Sequence, residues 1–279
     1  MKNKSGKTKG SGKKGRLTMA DQADRHLLYQ EAVQCVEAEI DFVDETYEEI
    51  RGKRAKWLRE DFCGTANTSC EWIRRRATNH AVGVDLDADV LAWGRKNNIG
   101  ALKSGKDRIE LLEENVMSVS AEKMDIVLAM NFSYWILRER AQLIAYFSSV
   151  REALNDDGIF FLDAYGGYDA YKETKDRNKF DGFTYIWDQA EYHPVTGYMR
   201  CHIHFRFPDG SRINRAFSYE WRLWSLPEIQ ELLTEAGFSN IVIYWQGADE
   251  ETGEGDGEFE PETQGEADPA WIVYIVAEK

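Results

Sequence analysis

The sequence predicts an α/β fold, a doubly wound and mostly parallel seven-stranded sheet with an antiparallel three-stranded lid inserted late in the chain. Three observations predict it. Between 57 and 163, short apolar runs alternate with stretches of helical periodicity, the pattern left by crossovers between parallel strands. From 166 to 225 that rhythm gives way to strictly alternating segments separated by turns containing Gly and Pro. A chain of 279 residues with 43% apolar content and 13% aromatics can bury a core of that size as one elaborated domain.

In chain order, residues 1–18 form a basic tail, six Lys and one Arg without an acid up to Arg16, which reads as a disordered, solvated extension. Residues 19–52 form N-terminal cap helices: Leu27, Leu28, Ala32, Val33, Val36, Ile40 and Val43 recur every three or four residues, with Tyr29 among them. The core, 53–165, has strands at 57–62, 81–85, 109–112, 124–130 and 159–163. Its helices lie at 68–76, capped by Asn67 or Thr65, at 87–97 and at 139–154. The lid, 166–225, has strands at 183–191, 198–207 and 211–221, with Pro194 and Gly197 in one turn and Pro208-Asp209-Gly210 in the next. Residues 226–279 close the sheet with a helix at 227–236, a Gly237 stop, and strands at 241–245 and 271–277. Between those strands the stretch 249–268 carries ten acids and no base, and reads as a flexible acidic loop.

The formal net charge is −14. Without the two biased segments, 28 basic and 39 acidic residues leave a body of −11, which repels phosphate backbones and argues against a nucleic-acid partner. Cys35, Cys63, Cys70 and Cys201 lie far apart with no CxxC pair, so neither a zinc site nor a disulfide framework is expected. Reduced thiols, no apolar h-region and no membrane-length apolar stretch point to a cytoplasmic chain, monomer or homodimer.

Four segments at strand ends carry chemistry. In Glu60-Asp61-Phe62-Cys63-Gly64-Thr65-Ala66-Asn67, small residues permit a tight turn whose N–H groups approach a ligand at the next helix. In Val82-Gly83-Val84-Asp85-Leu86-Asp87, Asp85 ends an apolar strand where a carboxylate can accept both hydroxyls of a ribose, while Asp87 caps the following helix. Asn115 offers donor and acceptor together to an adenine edge, with the Val116 N–H beside it. Beyond the fourth strand, Met130-Asn131-Phe132-Ser133-Tyr134-Trp135 is a polar and aromatic cluster where a substrate would meet a cofactor. Core packing is the alternative for its aromatics. Asn131 and Tyr134 are the candidates for catalytic contact.

These four segments together resemble the class I S-adenosylmethionine (SAM)-dependent methyltransferases, over 57–165 and the closing elements 227–277. Within that family the first loop reads acid-x-Gly-x-Gly-x-Gly. Here Glu60 falls on the acid and Gly64 on the central glycine, while Phe62 and Ala66 stand in place of the other two. The resemblance implies SAM as cofactor, with Glu60 toward the methionine amino group, Asp85 on the ribose, and Asn115 with Val116 on the adenine. It extends the cofactor contacts to Phe62, Cys63, Gly64, Thr65, Leu86 and Met130, and by analogy to Tyr29 on a capping helix. It further implies a small-molecule acceptor methylated by direct displacement, with the lid roofing the pocket through Tyr185, Trp187, Tyr219 and Trp221. Two alternatives stay open: an RNA or protein target tethered by the basic tail, and a cofactor-binding module without turnover.

The strand at 200–207 places Arg200, His202, His204 and Arg206 on one face, solvated in the preferred reading, or turned into the cleft to hold an anionic group. His202 and His204 form an HxH pair with no third ligand in view, so no metal is expected.

Overall fold

The computed structural model describes residues 16–119, 123–249 and 255–279. The tail up to residue 15, and with it the tethering idea, lies outside the described residues, as do 250–254 of the acidic stretch.

Three helices precede the sheet: α1 (Met19–Gln22), α2 (Arg25–Val33) and α3 (Val36–Arg51). Asp24 caps α2 through the His26 N–H, and Gly52, at φ 64°, ends α3 in the left-handed conformation. The core then runs β1 (Trp57–Asp61), α4 (Asn67–Arg75), β2 (His80–Asp85), α5 (Ala88–Gly94), β3 (Ile109–Glu113), β4 (Met124–Ala129), α6 (Arg140–Ala153) and β5 (Leu154–Gly166). The lid strands follow as β6 (Thr174–Phe180), β7 (Phe183–His193), β8 (Tyr198–Arg206) and β9 (Arg212–Arg222). The chain closes with α7 (Leu226–Glu235), β10 (Ser239–Ala248), β11 (Gly255–Pro261) and β12 (Trp271–Glu278).

The main sheet has the order β11-β10-β12-β5-β4-β1-β2-β3. Strands β1 to β5 pair in parallel, and β12, β10 and β11 add antiparallel. The crossover direction reverses between β1 and β4, so the crevice of the fold opens at their carboxyl ends. Alternation splits the strands between two cores. Ile126, Leu128, Ile159 and Phe161 face α3, α4 and α5, whereas Val127, Ala129, Phe160 and Leu162 face α6, α7 and the lid. Under the latter face Arg59 and Asp61 form a fully buried ion pair at 2.8 Å, to which the Tyr146 hydroxyl donates at 2.9 Å.

The sheet has eight strands rather than seven, and the lid four rather than three. The extra main-sheet strand is β11, inside the stretch expected to be an acidic loop. It forms the sheet edge, where acids stay in solvent, and is anchored by Phe259 stacked 4.0 Å from Tyr274. The extra lid strand, β6, is likewise an edge, its run Lys175-Asp176-Arg177-Asn178-Lys179 exposed and without apolar alternation. The cap of α4 is neither Asn67 nor Thr65 but Ala66, left-handed at φ 55°.

Candidate active site

The loop after β1 takes the conformation of a glycine-rich turn without most of its glycines. Phe62, Gly64 and Ala66 all have positive φ, at 57°, 51° and 55°. A non-glycine residue there costs about 1–2 kcal/mol, so the surrounding structure holds the loop in place. The Gly64 N–H donates to Asp85 Oδ2 at 2.8 Å, the Thr65 carbonyl accepts from Asn98 Nδ2 at 2.8 Å, and Thr65 Oγ1 accepts from Gln30 Nε2 on α2 at 2.8 Å. Glycines appear in the elements that press on the loop. A Cβ on Gly94 would lie 2.5 Å from the Thr65 carbonyl oxygen, and one on Gly83 would lie 2.9 Å from Cys63 Sγ. Cys63 is therefore a core thiol, its pKa raised by burial, and only its main chain reaches the crevice.

Asp85 ends β2 half-buried, accepting from Gly64 and, through Oδ1, from the Asp87 N–H at 2.9 Å. Each carboxylate oxygen keeps a lone pair free for a hydroxyl. Leu86 beside it is exposed, and Asp87 caps α5. Asn115 is exposed, and its Oδ1 is taken by the Met117 N–H at 2.9 Å. Its amide N–H groups and the second lone pair of Oδ1 remain to read a base. Val116 and Met130 are buried behind these loops.

Glu60 is buried on the α4 side, where Ser69 donates to it through its N–H at 2.8 Å and its hydroxyl at 2.5 Å. Burial raises its pKa to about 8. Two further buried acids interact with the same region. Glu39 of α3 is raised by burial to about 7, and Asp163 of β5 to about 8. None of the three has a cationic partner among the described residues.

Asp163 organises the loop after β4. Its carboxylate accepts the Asn131 N–H at 2.7 Å and the Phe132 N–H at 2.8 Å, holding two consecutive left-handed residues at φ 58° and 57°. Asn131 thereby faces the crevice. Tyr134 does not: it is fully buried, its hydroxyl donating to the Asp163 carbonyl at 2.8 Å, so it is a core residue and not a catalytic contact.

Asn131 and Phe132 also form one end of a cavity of about 730 Å³ between the sheet and the lid. Its walls are aromatic. Tyr219 and Trp221 stack at 4.4 Å, Trp187 lies 6.1 Å from each, and Tyr185 and Tyr165 complete the lid side and floor. Tyr29 lines this cavity, packed on the lid through Phe217 with ring centroids 4.9 Å apart and the rings tilted; its neighbour Gln30 makes the contact to the β1 loop. On the opposite wall Trp245 and Trp271 pack at 5.1 Å, with Glu266 and Asp268 near the mouth.

The lid strand β8 turns Ile203 into the cavity and its polar face outward. There His202 Nδ1 meets Ser218 Oγ at 2.8 Å and His204 Nε2 meets Asp188 at 3.1 Å. Among the described residues no group of three or more His, Cys, Asp or Glu is placed to hold a metal ion, and no helix is long and apolar enough to cross a membrane.

Of the residues singled out in the sequence, Glu60, Gly64, Asp85 and Asn131 lie at the ends of neighbouring strands, while Asp163, Glu39, Tyr165, Trp245 and Trp271 are not among those the sequence singles out. Asp163 repeats the signal that identified Asp85, an acid closing an apolar strand. The tryptophans carry no local signal, since each belongs to a strand end whose partner is remote in the chain.

No protein-family profile and no curated protein matches the sequence. Solved structures do match its fold. A SAM-dependent methyltransferase from Clostridium acetobutylicum superposes with a TM-score of 0.65 at 16% identity, over 91% of this chain and 96% of that one. An amino pentose methyltransferase from Micromonospora echinaspora, solved with SAM, gives 0.64 at 15% identity over 91% and 95%. A sugar N-methyltransferase from Streptoalloteichus gives 0.61 at 15% identity over 100% and 98%. The chain has the fold of the class I SAM-dependent methyltransferases, with an inserted antiparallel lid.

Proposed function

We propose that this chain is a SAM-dependent methyltransferase acting on an amine nitrogen of a small molecule. The observation that carries the reading is the junction at Asn131: one loop, clamped by Asp163, follows β4, the strand paired with β1 beside the crevice, and also lines the aromatic cavity. Two ligands lodged there would touch at that loop.

The residues fit the cofactor. Asp85 has free lone pairs for a ribose, and the Asn115 amide has free donors for an adenine. Three buried acids without cationic partners, Glu39, Glu60 and Asp163, suit a ligand with positive charge at its sulfonium and ammonium groups. When bound, SAM supplies an electrophilic methyl group, whose carbon–sulfur bond breaks with the electron pair kept by sulfur as a nucleophile's lone pair forms the new bond.

The chain's contribution is alignment and exclusion of water. Among the described residues no histidine, lysine or arginine lines the cavity, its two carboxylates, Glu266 and Asp268, belong to the segment leading into β12, and Asn131, where the two sites adjoin, is not a base. An amine fits such a site, because a neutral amine carries its own lone pair and the product ammonium can release its proton to water afterwards. A hydroxyl would need a base within hydrogen-bond reach. A sugar N-methyltransferase and an amino pentose methyltransferase among the structural neighbours support the same choice.

The test is cofactor affinity. Asp85→Ala is expected to weaken SAM binding in calorimetry by about tenfold or more, the scale of lost hydrogen bonds to a charged group, with circular dichroism unchanged. Unchanged affinity would remove the ribose assignment, and absence of SAM binding to the wild-type chain would remove the function.

A further inference from the structure

The cavity wall opposite the lid belongs to an arm made from the carboxyl end of β10, β11 and the segment leading into β12. Its residues from Asp249 to Asp268 include ten acids and no base. Two of the acids, Glu266 and Asp268, border the cavity itself.

Their electrostatic situation differs from that of acids nearby. Asp169 is paired with Lys172 at 2.5 Å, Asp188 with Lys175 at 2.8 Å, Glu191 with Arg200 at 2.9 Å, and Glu228 with Arg222 at 2.7 Å. Glu266 and Asp268 form no ion pair with any described residue, and no cationic side chain lines the cavity beside them. The surfaces facing them are ring faces, the stack of Tyr219 on Trp221, Trp187, and the Trp245–Trp271 pair. Ring faces carry negative quadrupole density, which attracts cations and repels anions. The charged side chains in the lining, Glu266 and Asp268, therefore have the same sign as the ring faces.

We infer that the acceptor binds as a net cation carrying at least two amines, one held between the Glu266 and Asp268 carboxylates and the ring faces while another points at Asn131. This rests on the cavity being the acceptor site of the reading above. It excludes acceptors presented on an anionic carrier such as a phosphate ester, whose charge would meet unpaired carboxylates and π faces with no guanidinium or ammonium to answer it. The nitrogen at the Asn131 end lies against the Phe132 and Tyr165 rings, which pack 4.7 Å apart. Desolvation there favours its neutral form, the one with a free lone pair. The carboxylates at the mouth keep the other amine charged, so one molecule presents an anchor and a nucleophile at opposite ends.

The experiment compares three ligands of similar length on the full chain without cofactor: putrescine, n-butylamine and γ-aminobutyrate, with two, one and no net positive charges. Calorimetric titration is expected to rank them in that order, putrescine ahead of n-butylamine by roughly tenfold at low salt, and the preference should shrink as sodium chloride is added. The double variant Glu266→Gln with Asp268→Asn should bring the three within about twofold of one another while ultraviolet circular dichroism and melting temperature stay as in the wild type. Equal affinities, a reversed order, no binding by any of the three, or a ranking that survives the double substitution would overturn the inference. Because these titrations omit SAM, a chain that selects putrescine yet fails to bind SAM would sink the methyl-transfer reading alone. A chain that binds SAM without discriminating the three ligands would sink the cationic acceptor alone.

Discussion

The crevice at the ends of β1 and β2 and the cavity under the lid adjoin at Asn131, yet they are built in opposite ways. The crevice comes from two short stretches, 60–67 and 85–87, and works mostly through main-chain groups held by Asp85, Asn98 and Gln30. The cavity gathers side chains from α2, β5, the lid and both closing strands, and works through ring faces and two unpaired acids. The crevice keeps its shape by conformational constraint, with Phe62 and Ala66 in left-handed backbone. The cavity keeps its shape by packing. A site that reads a fixed ligand needs the first kind of construction, and a site whose ligand differs from one relative to the next suits the second, because aromatic walls can be rebuilt without disturbing a backbone turn.

Asp163 is where the comparison can be broken outright. It carries the Asn131 loop shared by both sites, so Asp163→Ala should damage both, orphaning two N–H groups in left-handed backbone and lowering stability by about 3 kcal/mol. Urea unfolding measures the loss, and paired titrations with SAM and putrescine measure the two sites. Damage confined to one site would mean that the loop is not shared.

A smaller effect separates the acid-rich interior of the crevice from the cavity by pH. Burial raises Glu39 to about 7 and Glu60 and Asp163 to about 8, so between their ordinary values and these the folded chain binds more protons than the unfolded chain. The contribution of these three to stability is then fully present below about pH 4 and is lost as pH rises toward 8. Urea midpoints at pH 5 and pH 8 read this directly. Glu39→Gln should flatten the slope relative to the wild type. An unchanged slope in the variant would refute the burial argument.

The smallest effect concerns strain. Arg215 in the lid is left-handed like Phe62, at φ 51°, but exposed, whereas the Phe62 ring packs 5.6 Å from Tyr146. Arg215→Gly should raise stability by about 0.5 kcal/mol, relief of about 1–2 kcal/mol less the extra backbone entropy of glycine. Phe62→Gly should lower stability, because the ring's burial outweighs the relief. Thermal melts of the two variants moving in the same direction would contradict the distinction.

The same contrast explains what was legible in the sequence. Parallel strands such as β2 and β4 are apolar on both faces and announce themselves in a few residues, and Asp85 ends β2 while Glu60 stands near the end of β1 beside it. Edge strands are not subject to that pattern. β6 and β11 pair on one side only, so Lys175, Arg177, Asp256 and Glu258 sit in them without cost, and a polar strand then looks like a loop. Tyr134 was misleading for a related reason: nothing local tells a tyrosine aimed at a cleft from one whose hydroxyl caps a carbonyl thirty or so residues away, here that of Asp163. The cavity was visible only as a surplus of aromatics in the lid. Its other wall, Trp245 and Trp271, depends on the pairing of β10 with β12 across the acidic arm.

Helix α2 ties the two sites together. One side of it packs on the lid through Leu28 among Phe183, Ile203 and Phe205, with Arg25 bonded to the Ala216 carbonyl; the other holds Thr65 through Gln30, and its capping Asp24 accepts from Trp93. Any swing of the lid away from the sheet pulls on the loop that would cradle the cofactor. The nine residues of α2 thus hold both sites at once, and displacing the lid would have to break either the Leu28 packing or the Gln30–Thr65 bond.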